Sequence, residues 1–141
     1  MPATEPSDAD IKNILTTAKT IALVGASDKP DRPSNGVMAF LLAKKFNVIP
    51  VNPGLVGKRI HGQLVHESLS SIGVPIDIVD IFRASEHVGP IVDEAISVGA
   101  KAVWMQLGVI NESAASKART AGLKVVMDRC PKIEWRRLGL P

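Results

Sequence analysis

Five short apolar runs, each followed by turn residues and most separated by a helical pattern, predict a single doubly wound α/β domain with a mostly parallel five-stranded sheet flanked by helices. The runs are nearly continuous in apolar residues, as strands buried on both faces must be. The length of 141 residues suits one core, and 45% hydrophobic with 22% charged residues is the balance of an ordinary globular domain.

From the N-terminus, residues 1–19 read as a polar, Pro-containing leader and a helix. Ser7 or Asp8 caps it, and Ile11, Ile14, Leu15 and Ala18 form one apolar stripe at i, i+3, i+4 and i+7. The domain proper then runs over residues 20–138. Its first strand is Thr20-Ile21-Ala22-Leu23-Val24, ending at Gly25, and its second is Val48-Ile49-Pro50-Val51. Pro50 has no backbone donor, so this second strand must be short, at a sheet edge or bulged. The third run spans residues 76–82, the fourth is Ala102-Val103-Trp104-Met105, and the fifth is Leu123-Lys124-Val125-Val126-Met127.

Between the runs, helices are expected over residues 36–46, 90–98 and 111–120. Val37, Phe40 and Leu41 point inward from the first of these, and Ile91, Val92, Ala95 and Ile96 from the second. Asn111 is a good N-cap, and Gly99 and Gly122 stand where a left-handed residue would end the two later helices. A short turn is expected near Ser68 to Ile72. Trp104 belongs to a core strand, and Trp135 is placed to pin the C-terminal segment onto the domain.

A net charge of +3, three Phe, two Trp and no Tyr, with no block of like charges, give no support to nucleic-acid binding. The lone Cys130 excludes a disulfide framework and a cysteine-clustered zinc site, and is compatible with a reducing compartment. No basic, apolar leader and no apolar stretch of membrane-spanning length occurs, so a cytoplasmic location is expected and no membrane contact.

In an open parallel sheet, ligands collect beyond the carboxyl ends of the strands. After the first strand, the segment from Gly25 to Gly36 holds Ser27, Lys29 and Arg32 just ahead of a helix start, where unpaired N–H groups favour an anion. Lys58 and Arg59 follow the second strand. The loop lacks G-x-G-x-x-G, and Val51-Asn52-Pro53-Gly54 stands where an acidic ribose partner would end the second strand, so both usual marks of NAD are missing. Neither a P-loop, nor H-E-x-x-H, nor G-x-S-x-G occurs. His61, His66 and His87 lie outside the strand-end turns and read as surface or structural residues. Cys130 is the one group with reactive potential, against the plainer reading of a buried small hydrophobe.

Several long segments, in order, resemble the small stand-alone CoA-binding domain family, whose Rossmann-like fold is that of the N-terminal CoA-binding domain of the succinyl-CoA synthetase alpha subunit. They are Val24-Gly25-Ala26-Ser27 with Pro30-Asp31-Arg32-Pro33-Ser34; Val48 through Pro53; Val79-Asp80-Ile81-Phe82-Arg83; Trp104 through Val109; and Asp128-Arg129-Cys130-Pro131-Lys132. The resemblance implies coenzyme A, or an acyl-CoA, lying across the carboxyl ends of the strands. Gly25, Ala26, Ser27, Lys29 and Arg32 would hold phosphates, and Asn52 and Pro53 would stand near the adenosine. Ile81, Phe82 and Arg83 would form the turn after the third strand, and Met105, Gln106 and Leu107 the turn after the fourth.

One departure falls at Leu55, where the synthetase has a lysine, so Lys58 or Arg59 would have to meet the 3′-phosphate. The synthetase's phosphorylated histidine belongs to a domain with no counterpart in this chain, so no catalytic step is expected of it alone. Two rival readings remain: an NADP-binding oxidoreductase or sensor, with Lys58 and Arg59 on the 2′-phosphate, and an interaction subunit without ligand. A homodimer or another protein partner would need an uncovered apolar face, which periodicity alone does not locate.

Overall fold

A computed structural model describes residues 5–141. Strands β1 (Thr20–Val24), β2 (Asn47–Val51), β5 (Ile78–Ile81), β6 (Ala102–Met105) and β7 (Lys124–Val126) form one all-parallel sheet in the order β2-β1-β5-β6-β7. A two-stranded antiparallel hairpin, β3 (Arg59–Ile60) and β4 (Gln63–Leu64), stands apart from it. Helices α1 (Asp8–Thr17), α2 (Pro33–Ala43), α3 (Val88–Ser97), α4 (Glu112–Thr120) and α5 (Pro131–Arg137) cover both sheet faces.

The period of two along the strands divides the core in two. Ala22, Val24, Val79, Ile81, Val103, Met105 and Val125 pack with Val88, Val92 and Ala95 of α3 and Ala114, Ala115 and Ala118 of α4. Their neighbours Ile21, Leu23, Ile78, Trp104 and Val126 face the opposite way. They pack with Ile11, Ile14 and Leu15 of α1, Val37, Met38 and Leu41 of α2, and Trp135 of α5. Both faces being covered, all four residues of β5 and of β6 are buried, which is why β6 reads as an unbroken apolar run and β5 as one interrupted only by Asp80.

The expected strands are all present: β1 and β6 have the expected bounds, β2 begins one residue earlier, and the third and fifth runs are trimmed to Ile78–Ile81 and Lys124–Val126. Pro50 lies in β2, an edge strand, as its missing donor requires. That edge is not left open: the Pro50 carbonyl accepts from His66 N–H at 2.9 Å, and Asn52 N–H donates to the His66 carbonyl at 3.0 Å, so the chain leaving the hairpin covers it.

Ser7 caps α1 in a reciprocal capping box with Asp10. Asn111 caps α4, its Oδ1 accepting from Ala114 N–H at 3.0 Å. Gly99 and Gly122 take φ of +75° and +92° directly after the C-caps of α3 and α4.

α3 begins two residues ahead of the expected 90–98, and two other helices differ further from the sequence reading. α2 spans Pro33–Ala43, three residues ahead of the expected 36–46, because Pro33 is the first helical residue and Lys45 adopts φ +76°. Phe46 N–H then bonds to the Leu41 carbonyl and Lys45 N–H to the Leu42 carbonyl, closing the helix in a Schellman motif without glycine. α5 was not anticipated. Its seven residues are too few for an apolar period, and Pro131 begins the helix instead of breaking it. Trp135 nevertheless pins this segment, with its ring edge-on to Phe40 and Phe46 at centroid distances of 6.3 and 5.8 Å. Among the described residues no helix is long and apolar enough to cross a membrane.

Candidate functional site

The sheet order reverses between β1 and β5: β2 follows β1 to one side, and β5 to β7 run to the other. Beyond the carboxyl ends of such a pair the connecting loops diverge and leave a crevice. Here it is a cleft of about 640 Å³ lined by Val24 to Lys29 and Arg32 to Ser34 from the β1–α2 segment, Val51 to Leu55 from the end of β2, and Phe82 and Arg83 after β5.

The floor is backbone brought into close approach. Gly25 N–H and Ala26 N–H both donate to the Val51 carbonyl, at 3.0 and 3.3 Å, and Phe82 N–H donates to the Val24 carbonyl at 2.8 Å. Gly25 has φ +89°, and a Cβ there would lie 2.7 Å from the Phe82 carbonyl oxygen. Only glycine fits both constraints.

Two asparagines then set the loop. Asn52, extended at the end of β2, donates its side-chain amide to the Ala26 carbonyl at 2.8 Å, while its Oδ1 accepts from Gly54 N–H and starts a short 3₁₀ turn over Pro53–Leu55. Asn35, buried in the first turn of α2, donates to the Ser27 carbonyl at 3.0 Å. In a trans peptide the N–H points opposite to the C=O. With the carbonyls of residues 26 and 27 tied down, the N–H groups of Ser27 and Asp28 face away from the asparagines, and neither carries a hydrogen bond among the described residues. Ser27 Oγ accepts from Lys29 N–H at 3.1 Å, which curls the chain over the opening.

Three cations, Lys29, Arg32 and Arg83, line the cleft beside one carboxylate, Asp28, and none of the three is in an ion pair among the described residues. Free donors, unpaired cations and the start of a helix on one wall together make an anion-binding surface.

The structure thus gathers Gly25, Ala26, Ser27, Lys29, Arg32, Asn52, Pro53, Phe82 and Arg83 around one cleft. It does not bring the other expected residues there. Ile81 and Met105 are wholly buried among the α3 and α4 side chains. Gln106 is buried with its Oε1 unpartnered, and Leu107 is 60% exposed two strands from the switch point. Lys58 and Arg59 are exposed on the hairpin, where the Arg59 guanidinium donates to the Gly62 carbonyl of its own turn at 3.0 Å. Leu55 is the last residue of this segment in the cleft lining, and Lys58 and Arg59 follow outside it.

Sequence reasoning missed Ser34 and Asn35, because the late helix start it assumed left both in a loop. Pro33 was the available signal.

Two further groups bear on the chemistry. Cys130 is 6% exposed and packs with the core under α1, α2 and α5, outside the cleft lining, and the Arg129 guanidinium beside it is committed to Glu134 at 3.0 Å. It is a packing residue. Asp80, in the centre of β5, is fully buried with no partner for either carboxyl oxygen, and burial pushes its pKa well above the ordinary carboxylate range. Among the described residues no group of three or more His, Cys, Asp or Glu could hold a metal ion.

This chain is similar to known proteins over almost its full length. YneT of Bacillus subtilis (strain 168) is 40% identical over 128 residues, covering 91% of this chain and 93% of YneT. A solved hypothetical protein from Pyrococcus horikoshii OT3 is 41% identical, with a TM-score of 0.91 over 98% of this chain and 96% of its own. A dinucleotide-forming acetyl-coenzyme A synthetase 1 from Ca. Korarchaeum cryptofilum shares the fold at 22% identity and a TM-score of 0.68, over 78% of this chain and 26% of that one. Residues 19–136, most of the chain, match the family described as the CoA binding domain, and the chain belongs to that family.

Proposed function

We propose that this protein binds coenzyme A or an acyl-CoA in the switch-point cleft and performs no catalytic step alone. The observation that carries the reading is the pair of unpartnered N–H groups of Ser27 and Asp28, in one cleft lining with Lys29, Arg32 and Arg83 in a chain of this family.

The donor set fits the ligand. A diphosphate needs several N–H groups and cations on one side, and the Gly25–Ser34 segment supplies them without a tight glycine-rich turn. Ser34, buried in the first turn of α2, adds a hydroxyl at the same wall. Asn52, Pro53, Gly54 and Leu55 form the side that would take the adenosine, and Phe82 and Arg83 the side along which the pantetheine arm would leave. CoA brings a thiol able to carry an acyl group as a thioester. The residues of this chain bind and orient its phosphates, and the one thiol, Cys130, is buried outside the cleft.

The NADP reading puts Lys58 and Arg59 on a 2′-phosphate just as the CoA reading puts them on a 3′-phosphate, and neither residue lines the cleft, so it is the family match that favours CoA. Calorimetric titration of the purified protein with CoA, acetyl-CoA, NADP and ATP separates the readings. CoA or its thioester is expected to bind at least tenfold more tightly than NADP. Preference for NADP would overturn the proposal, and no binding of any of the four would favour an interaction subunit.

A further inference from the structure

His61 stands at the tip of the β3–β4 hairpin, where it and Gly62 form a two-residue turn with φ of +48° and +81°. From this exposed turn its ring reaches α2. Nε2 lies 2.9 Å from Asn35 Oδ1 and 3.1 Å from the Asn35 carbonyl oxygen.

The orientation of the Asn35 amide follows from its partners. Its nitrogen must face the Ser27 carbonyl, since an oxygen there would oppose another acceptor, and so Oδ1 faces His61. Both atoms presented to Nε2 are then acceptors, which requires Nε2 to carry the proton. The result is a directed chain: His61 donates to Asn35, and Asn35 donates to the Ser27 carbonyl. That carbonyl lies in one rigid peptide plane with the unpartnered Asp28 N–H. Asn35 is buried at 8% exposure, so its amide has little water to turn toward if the donor is lost.

We infer that His61 is a positioning residue for the phosphate-binding loop: by donating from Nε2 it locks the Asn35 amide, and through it the direction of the Asp28 N–H. The hairpin, which contributes no residue to the cleft lining, thereby sets the affinity of the cleft for phosphate oxygens. This inference rests on the CoA reading above.

The test uses two amide replacements of similar polarity. In His61→Gln the side-chain nitrogen occupies roughly the place of Nε2 and keeps the donor. His61→Asn suits the left-handed turn but is too short to reach Asn35. Calorimetry with CoA is expected to show about a five-fold loss of affinity for His61→Asn, the scale of one net hydrogen bond, and less than about a two-fold loss for His61→Gln. Inorganic pyrophosphate should weaken by the same factor as CoA, because the effect lies at the phosphates. Combined with Asn35→Ala, His61→Asn should add nothing further, both acting through one chain.

If wild-type protein binds CoA and His61→Asn binds it equally well, the inference fails and the cofactor reading stands. Equal losses for the Asn and Gln variants, accompanied by lowered melting temperatures, would make His61 a structural turn residue only. Failure of the wild type to bind CoA at all would remove the reading and the inference together.

Discussion

The two ends of the sheet treat their polar groups in opposite ways. At the amino end, Asp77 precedes β5 and accepts from Lys19 N–H and Thr20 N–H at 2.8 and 2.9 Å, while the Lys101 ammonium stands 3.3 Å away. Neighbouring connections close on one another: Asn47 N–H meets the Lys19 carbonyl, and Lys124 N–H the Lys101 carbonyl. At the carboxyl end the chain leaves Ser27 and Asp28 N–H open and three cations without an ion pair among the described residues, with two asparagines holding carbonyls aside. Satisfied groups at one end and deliberately open donors at the other distinguish a closure built for stability from a surface built for a ligand.

The largest expected effect is at Gly25, where the ligand end is itself a point of tight packing. Gly25→Ala puts a methyl 2.7 Å from the Phe82 carbonyl oxygen at a φ of +89°, so either the β1 and β5 turns part or the chain distorts. A destabilisation of more than about 3 kcal/mol is expected, measured by urea unfolding, together with loss of CoA binding. A variant of native stability would mean that the two turns move apart freely and that the cleft floor is not fixed.

Next comes a contrast along one strand. Asp77 and Asp80 are three residues apart, and their pKa values move in opposite directions. Burial would raise Asp77, but the Thr20 and Lys19 N–H groups and the Lys101 ammonium outweigh it and hold the carboxyl below its ordinary 3.8. Asp80 has only burial, which raises it well above 3.8.

For Asp77 the folded state binds fewer protons than the unfolded, so its contribution is present above pH 3.8 and is lost as pH falls through its lower folded value. Asp80 behaves in reverse. Its folded form keeps a proton that the unfolded chain has released, so stability declines from pH 3.8 upward toward the folded value, by about 1.4 kcal/mol per pH unit. As pH rises above 3.8 the wild type is therefore expected to lose stability relative to Asp80→Asn, in which every other carboxylate is unchanged, as measured by urea unfolding across the pH range. Parallel pH profiles for the two proteins would show that a partner or solvent reaches Asp80 in solution.

Much of this arrangement is legible in the sequence, for a definite reason. Buried strands with both faces covered leave nearly continuous apolar runs, so β1 and β6 announce themselves, and β5 does so despite Asp80. Parallel order then puts Gly25, Asn52 and Phe82 at one edge. Short elements leave no such trace. Two-residue strands in the hairpin carry no alternation, and the seven residues of α5 complete no apolar period. The sequence also makes Lys58 and Arg59 look adjacent to the second strand end, because chain distance is all it offers, whereas in the structure the cleft lining stops at Leu55, after the 3₁₀ turn over Pro53–Leu55.

Arg32 tests the open end directly. It lines the cleft, is exposed, and has no ion pair among the described residues, so its removal should leave the melting temperature nearly unchanged. Arg32→Ala is expected to weaken CoA binding by about 1.5–3 kcal/mol, the range for a charged hydrogen bond. Unchanged affinity with a lowered melting temperature would move Arg32 to the structural side of the comparison.

The smallest effect is expected at Lys58, and it decides how far the ligand surface extends. Lys58 is exposed and lies outside the cleft lining, so its charge acts on a bound 3′-phosphate only through water and salt. At a Debye length of about 8 Å such an interaction is worth at most about 0.5 kcal/mol, and Lys58→Ala should shift the CoA dissociation constant by no more than about twofold. Raising ionic strength should erase even that. Dephospho-CoA provides the control, since it lacks the group on which Lys58 could act. If Lys58→Ala instead costs tenfold with CoA and nothing with dephospho-CoA, the 3′-phosphate sits on the hairpin. The ligand would then bridge from the cleft to β3 and β4, and the hairpin would belong to the open end of the molecule as a contact surface.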